Sequence, residues 1–68
     1  MSEIQTLERL RDELQAAGDR LAATHEGAAE YWSKHAKTRL RIAGETCRDA
    51  AAKLDKQIAK LALDELLD

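Results

Sequence analysis

The segment 30–41 has the residue types most able to do chemistry in this chain. Tyr31 and Trp32, the only aromatic residues, stand directly before a run of basic side chains that no acid interrupts. The basic residues of this run are Lys34, Lys37, Arg39 and Arg41. An aromatic ring can stack on a base and neighbouring cations can hold phosphate, so this composition is typical of a site for a nucleotide-like anion.

Helical spacing divides this segment between two faces. Lys34, Lys37 and Arg41 share one face, while a second face at heptad spacing runs from Tyr31 to Ile42. The second face consists of Tyr31, His35, Thr38 and Ile42. We predict a ligand-binding set of Tyr31, Trp32, Lys34, His35, Lys37, Thr38 and Arg41. The alternative is that the basic face is only solvated surface, that Trp32 is a core residue, and that the second face packs on another helix.

Other reactive side chains give no pattern of an active site. His25 and His35 lack the spacing of metal ligands, and the pair His25-Glu26 is not followed by the second histidine of a metalloprotease helix. Cys47 falls on an apolar stripe, which favours a place in the core, and the glycines are too far apart for a phosphate-binding loop. We therefore expect no catalysis, no metal and no cofactor.

Composition narrows the class of protein further. The 68 residues include 11 basic and 13 acidic side chains, for a net charge of −2, which argues against a protein that coats DNA or RNA. A single cysteine fits a reducing compartment, and no apolar run approaches the roughly 18 residues of a membrane span. The sequence predicts a soluble cytoplasmic protein with no membrane partner.

An apolar stripe along the second half of the chain organises the rest. Ala, Leu, Glu, Lys and Arg dominate, and proline is absent, so helix is favoured throughout. The stripe steps by three or four residues without a slip: Trp32, Ala36, Leu40, Ala43, Cys47, Ala50, Leu54, Ile58 and Leu61. We expect everything else to pack on it.

A shorter stripe predicts a first helix. Ser2 followed by Gln5 reads as a capping box, and the helix from there has an apolar seam. The seam residues are Ile4, Leu7, Leu10, Leu14, Ala17 and Leu21. Gly18 either weakens this helix or lets another backbone come close, and the sequence does not decide between the two.

The fold class follows from these stripes. We predict a single all-α domain, 1–68, made of a helix 2–25, a turn 25–28 and a long second helix 28–67 that folds back as an antiparallel hairpin. The alternative is a three-helix bundle broken near Gly44, because Thr46 and Asp49 could cap a new helix.

The hairpin implies an unpaired tail. If the chain folds back at about Gly27, Met1 lies opposite Lys53. The residues after Lys53 then have no partner within the same chain. We therefore predict a homo-oligomer assembled through the apolar residues of this tail. The predicted interface is Leu54, Ile58, Leu61, Leu63, Leu66 and Leu67. In the three-helix alternative this segment instead folds over its own core.

The run Ala36-Lys37-Thr38-Arg39-Leu40 is similar to one in a known family. This run resembles one in the last helix of the phage-encoded sponge proteins, which sequester the cyclic-nucleotide signals of bacterial anti-phage immunity. The small size of the chain and its predicted helical hairpin are similar to that family as well. The resemblance implies an anti-defence homo-oligomer that holds a nucleotide between subunits. Tyr31 or Trp32 would then stack on the base, and Lys34, Lys37 or Arg41 would hold phosphate.

The sequence as a whole favours a non-enzymatic binding protein. Its most concrete form is a small inhibitor that sequesters a nucleotide-like anionic signal at a subunit interface. Two alternatives stay open: a protein–protein interaction module that uses the apolar C-terminal helix as an inhibitor or adaptor, and a structural coiled-coil protein.

Overall fold

Two helices form the whole of the described structure. The computed structural model describes residues 2–27 and 30–67, with α1 spanning Glu3–Gly27 and α2 spanning Lys34–Leu67. The described residues contain no strand, and the two helices pack against each other as a hairpin. The prediction of an all-α hairpin with a long second helix is confirmed.

The first helix begins with the predicted capping box. The Ser2 backbone N–H lies 3.4 Å from the Gln5 side-chain oxygen Oε1, and the Gln5 backbone N–H donates to Ser2 Oγ at 3.1 Å. Two backbone amides at the helix start are thus satisfied by side chains. The helix runs two residues beyond the predicted end, to Gly27.

The second helix begins at Lys34, so the predicted start at residue 28 is wrong. Ser33 is its cap: Ser33 Oγ accepts from the Ala36 backbone N–H at 3.1 Å, and the Ser33 carbonyl accepts from the Lys37 N–H at 3.0 Å. Because Tyr31 and Trp32 precede this cap, they lie in the turn and not on the helix. The predicted apolar stripe therefore begins at Ala36.

The helices cross where two glycines face each other. A Cβ atom added to Gly18 would lie 3.2 Å from the Gly44 carbonyl oxygen, and one added to Gly44 would lie 3.4 Å from Leu21 Cβ. Gly18 therefore serves a close backbone approach. The second helix continues through Gly44 without a break, so the three-helix alternative is wrong.

Two ion pairs between the helices define their register. Arg11 Nη1 lies 2.7 Å from Asp55 Oδ1, and Arg48 Nη2 lies 3.1 Å from Asp19 Oδ1. From Arg11 to Asp19 the chain moves forward along α1, while the partners move backward along α2, from Asp55 to Arg48. The two helices are therefore antiparallel. Arg11 is level with Asp55, so the predicted register, which placed Met1 opposite Lys53, is wrong, although Met1 itself lies outside the described residues.

The register error has a structural cause. The connection runs past Gly27 to Ser33, so the fold-back point lies later in the chain than predicted. The first helix consequently reaches further along the second. Ile58, predicted to lie in an unpartnered tail, is only 8% exposed.

The core is a thin line of contacts between the helices. Ala51 and Ile58 are the described apolar residues that are almost fully buried, at 4% and 8% exposure. Most of the predicted stripe positions, from Ala36 to Leu61, are half-buried. Leu10 belongs to the predicted first-helix seam but is 42% exposed, since it points to one side of the hairpin.

This single layer of helices presents two broad faces that differ in chemistry. The charged face includes both interhelix ion pairs and a shallow cavity lined by Arg11, Asp12, Gln15, Ala51, Ala52 and Asp55. The apolar face centres on a depression lined by Leu10, Glu13, Leu14, Ala17 and Leu54. Helical spacing extends the apolar face to Leu21, Cys47, Ala50 and Leu61, all of which are half-buried.

Candidate functional site

A groove of about 370 Å³ lies at the loop end of the hairpin, where α1 ends and α2 begins. We call it the loop-end groove. Its lining residues are His25, Glu26, Lys34, Lys37, Thr38 and Arg41. Four of the seven residues predicted to bind a ligand therefore line one groove.

The three basic residues meet because of helical spacing. Lys34, Lys37 and Arg41 are three and four residues apart, which places them on one side of the first two turns of α2. The Ser33 cap fixes where those turns start. Cationic side chains near the start of a helix add to the partial positive charge of its free amides, so the α2 side of the groove favours an anion.

The α1 side of the groove has the opposite electrostatic character. Glu26 is exposed and His25 is half-buried in the last turn of α1. The carbonyl groups at that helix end add partial negative charge. An anion in the groove would thus sit against α2, with the Glu26 carboxylate on the far side.

Arg41 already has a partner within its own helix. Arg41 Nη1 lies 3.0 Å from Glu45 Oε1, and both side chains are more than half exposed. Arg41 also lines a smaller adjoining cavity of about 130 Å³ with His25 and Glu26, so the groove continues along the charged face. An exposed pair at this spacing stabilises a helix by only about 0.2–0.5 kcal/mol, and a phosphate could displace it at little cost.

The remaining predicted ligand residues lie apart from the groove. Tyr31 is 87% exposed in the turn and Trp32 is about half exposed, and neither is among the groove's described lining residues. His35 and Ile42 are exposed on the outer side of α2. The predicted face from Tyr31 to Ile42 therefore does not act as a helix-packing seam, because Tyr31 precedes the helix and its remaining members are exposed. Of these, Thr38 lines the loop-end groove.

The predicted oligomer interface also divides among different surfaces. Ile58 is buried within the hairpin, so its assignment to an intermolecular surface is wrong. Leu54 and Leu61, seven residues apart, lie on the apolar face. Leu63 is about 200° around the helix from Leu61, and Leu66 and Leu67 are more than 80% exposed near the end of α2. The five leucines and one isoleucine of the predicted interface do not form one patch.

The first helix contributes more to both surfaces than the sequence indicated. His25 and Glu26 form one wall of the loop-end groove, and Leu10, Leu14 and Ala17 form half of the apolar face. The heptad-like seam of α1 was the available signal for the second group. The place of His25 and Glu26 beside the start of α2 depends on the hairpin register, which was predicted incorrectly.

The charged face is held by a small network around one arginine. Arg11 donates to Asp55 and also to the neighbouring Asp12, at 3.0 Å from Nη2. These hydrogen bonds, first to Asp55 and then to Asp12, raise the pKa of Arg11 above its usual range. Arg11 therefore keeps its charge at every pH at which the protein is handled.

The described residues hold no cluster of histidine, cysteine and carboxylate side chains suited to a metal ion. Cys47 is half-buried on the apolar face, distant in sequence and helical position from exposed His35. Neither helix has, in its described residues, an apolar stretch long enough to cross a membrane. No known protein family, curated protein or solved structure matches this chain.

Proposed function

We propose that this chain is a non-enzymatic binding protein that captures a small, nucleotide-like anion in the loop-end groove. The observation that carries the proposal is the convergence of Lys34, Lys37 and Arg41 on one groove. Arginine can grip phosphate with two parallel hydrogen bonds and lysine adds point charges, so two phosphate groups suit this set better than one carboxylate.

The groove is open to solvent, and enclosure would have to come from elsewhere. Tyr31 and Trp32 lie in the adjoining turn and could stack on a base whose phosphates rest against α2. A second subunit could supply the same cover. The resemblance to phage-encoded sponge proteins remains a prediction, and it would make this ligand a cyclic-nucleotide signal in the cytoplasm.

Charge neutralisation in the groove tests this function. Titration of a cyclic dinucleotide and of inorganic phosphate into the intact chain, followed by calorimetry, should show binding. The pair Lys37→Gln and Arg41→Gln should weaken it at least about tenfold, since two charge-assisted contacts are lost.

A matched control removes the same charge away from the groove. Lys56→Gln with Lys60→Gln changes two exposed lysines of the same helix and should leave the affinity within about twofold. Equal losses in both double variants would mean that only overall charge matters. The absence of any binding to either probe would remove the nucleotide form of the proposal.

A second candidate function is supported by the end of α2. Leu63, Leu66 and Leu67 are exposed apolar residues near the helix terminus, and a short apolar helix can dock in a groove of a larger protein. If the protein is such an inhibitor or adaptor, a tagged wild-type chain should co-purify with a stoichiometric partner that is lost with Leu66→Asp and Leu67→Asp. Retention of the partner by this variant would exclude the helix end as its binding surface.

A further inference from the structure

The hairpin is only one helix layer thick. Its Cα atoms span 55 × 18 × 11 Å, and the shortest dimension is that of a single sheet of two helices. Stable domains usually bury their apolar surfaces between at least two layers of secondary structure. Among the described residues of this one layer, Ala51 and Ile58 are the apolar side chains that are nearly buried, and the second layer is lacking.

The apolar face shows where a second layer would fit. Leu10, Leu14 and Ala17 of α1 meet Leu54 of α2 around an open depression on this side of the hairpin. The opposite side has the ion pairs of Arg11 and Arg48 and is suited to water. An amphipathic layer of this kind predicts that one side, and only one, is covered.

We propose that a second copy of this chain covers the apolar face and forms a four-helix bundle. One whole broad side of the hairpin, 55 by 18 Å between Cα atoms, has an outline of roughly 1,000 Å². A standard protein interface buries about 800 Å² per partner, so this side is large enough for one. The same face on a second copy is apolar as well, and a two-fold interface brings two identical surfaces together. This inference goes beyond ligand binding and does not depend on it.

Charge at the rim selects one arrangement. The ion pairs place Arg11 level with Asp55 and Asp19 level with Arg48, so Glu13 is level with Lys53. If the two-fold axis is parallel to the helices, each α1 packs against α2 of the second copy. The rotation does not change the height of a residue along the bundle, so residues that are level within one chain are also level between the two copies. Glu13 at the edge of the apolar face would then flank Lys53 of the second copy, with both hairpin loops at the same end of the bundle.

Two exposed apolar residues of similar size provide a matched test. Leu10 lies on the apolar face and is 42% exposed, while Ile42 lies on the outer side of α2 and is 40% exposed. Sedimentation equilibrium of the wild-type chain should give twice the 7.6 kDa chain mass. Leu10→Glu should raise the dimer dissociation constant at least about tenfold, whereas Ile42→Glu should leave it within about twofold.

A charge exchange tests the arrangement without placing a charge in the apolar face. Glu13→Lys and Lys53→Glu should each weaken the dimer, and the double variant should restore it, because the opposite charges face each other again. Circular dichroism at a concentration where the wild type is dimeric checks that each variant is helical.

Several results would overturn the proposal. A wild-type chain that sediments as a 7.6 kDa monomer at all concentrations would do so. A dimer equally weakened by Leu10→Glu and Ile42→Glu, or by neither, would place the contact elsewhere. Failure of the double charge exchange to restore the dimer would exclude the arrangement with both loops at one end. Because Leu10 and Ile42 are outside the loop-end groove, the ligand titrations can fail or succeed independently.

Discussion

The two faces of the hairpin are formed by the same helices but differ in the chemistry of their side chains. On the charged face, one arginine from each helix reaches a carboxylate of the other helix, in the pairs Arg11–Asp55 and Arg48–Asp19. On the apolar face, leucines and alanines surround an open depression. The difference indicates that water suits the first face and that a second protein surface suits the other.

The boundary between the faces is the line where the helices touch. It contains the glycine crossing at Gly18 and Gly44 and the buried residues Ala51 and Ile58. Since exposed ion pairs contribute little, this line has to supply most of the stability that one chain has on its own. Truncating an apolar side chain buried on this line should therefore cost more stability than removing an ion pair of the charged face.

The largest effect is expected at the buried isoleucine. Ile58→Ala removes a side chain that is packed between the helices and should lower the free energy of unfolding by about 2–4 kcal/mol. Ile42→Ala is the matched control on the same helix and should cost less than about 1 kcal/mol, because this side chain is already exposed. Urea unfolding followed by circular dichroism measures both, and equal losses would contradict the assigned boundary.

The glycine crossing should give effects of opposite sign. A Cβ at Gly18 would press on the Gly44 carbonyl oxygen and on Arg48, so Gly18→Ala should destabilise the protein by about 1–2 kcal/mol despite its gain in helix propensity. At Gly44 the same atom makes ordinary contacts, with 3.4 Å to Leu21 Cβ as the shortest. Gly44→Ala should therefore stabilise the helix by up to about 1 kcal/mol.

Thermal unfolding of the two glycine variants beside the wild type checks this prediction. A stabilised Gly18→Ala protein would show that the helices are further apart at the crossing than the structure places them. A Gly44→Ala protein as unstable as Gly18→Ala would mean that the approach is symmetric.

The smallest effect is expected on the charged face. A double-mutant cycle with Asp19→Asn and Arg48→Gln should give a coupling of about 0.2–1 kcal/mol, because both side chains are about half exposed. The coupling should fall further in 1 M salt, where screening acts over about 3 Å. A coupling comparable with the loss at Ile58 would contradict the expectation that the line of helix contact supplies most of the stability.

Local signals in the sequence predicted the local structure. The Ser2–Gln5 box, the stripe from Ala36 to Leu61 and the two-helix pattern are each set by neighbours within one or two turns, and the structure has all three. Gly18 could be identified as exceptional but not explained. Its role depends on Gly44, which is far away in sequence.

The errors in the predicted register and in the predicted sites have one origin, which is the position at which α2 begins. The turn was predicted at 25–28, but Ser33 caps α2, so the helix begins six residues later than predicted. Because α2 begins later, the register of the hairpin differs from the predicted one and Ile58 lies between the helices. Tyr31 and Trp32 lie in the turn for the same reason. The loop-end groove kept Lys34, Lys37 and Arg41 together because their spacing is internal to α2.

The most direct test of the contrast between the faces is thermal unfolding of the wild-type chain over about a hundredfold range of protein concentration. If the apolar face is covered by a second copy, folding and association are linked, and Tm should rise steadily with concentration. A Tm that stays constant across this range would show that the hairpin is stable by itself and would contradict the second layer that its apolar face predicts.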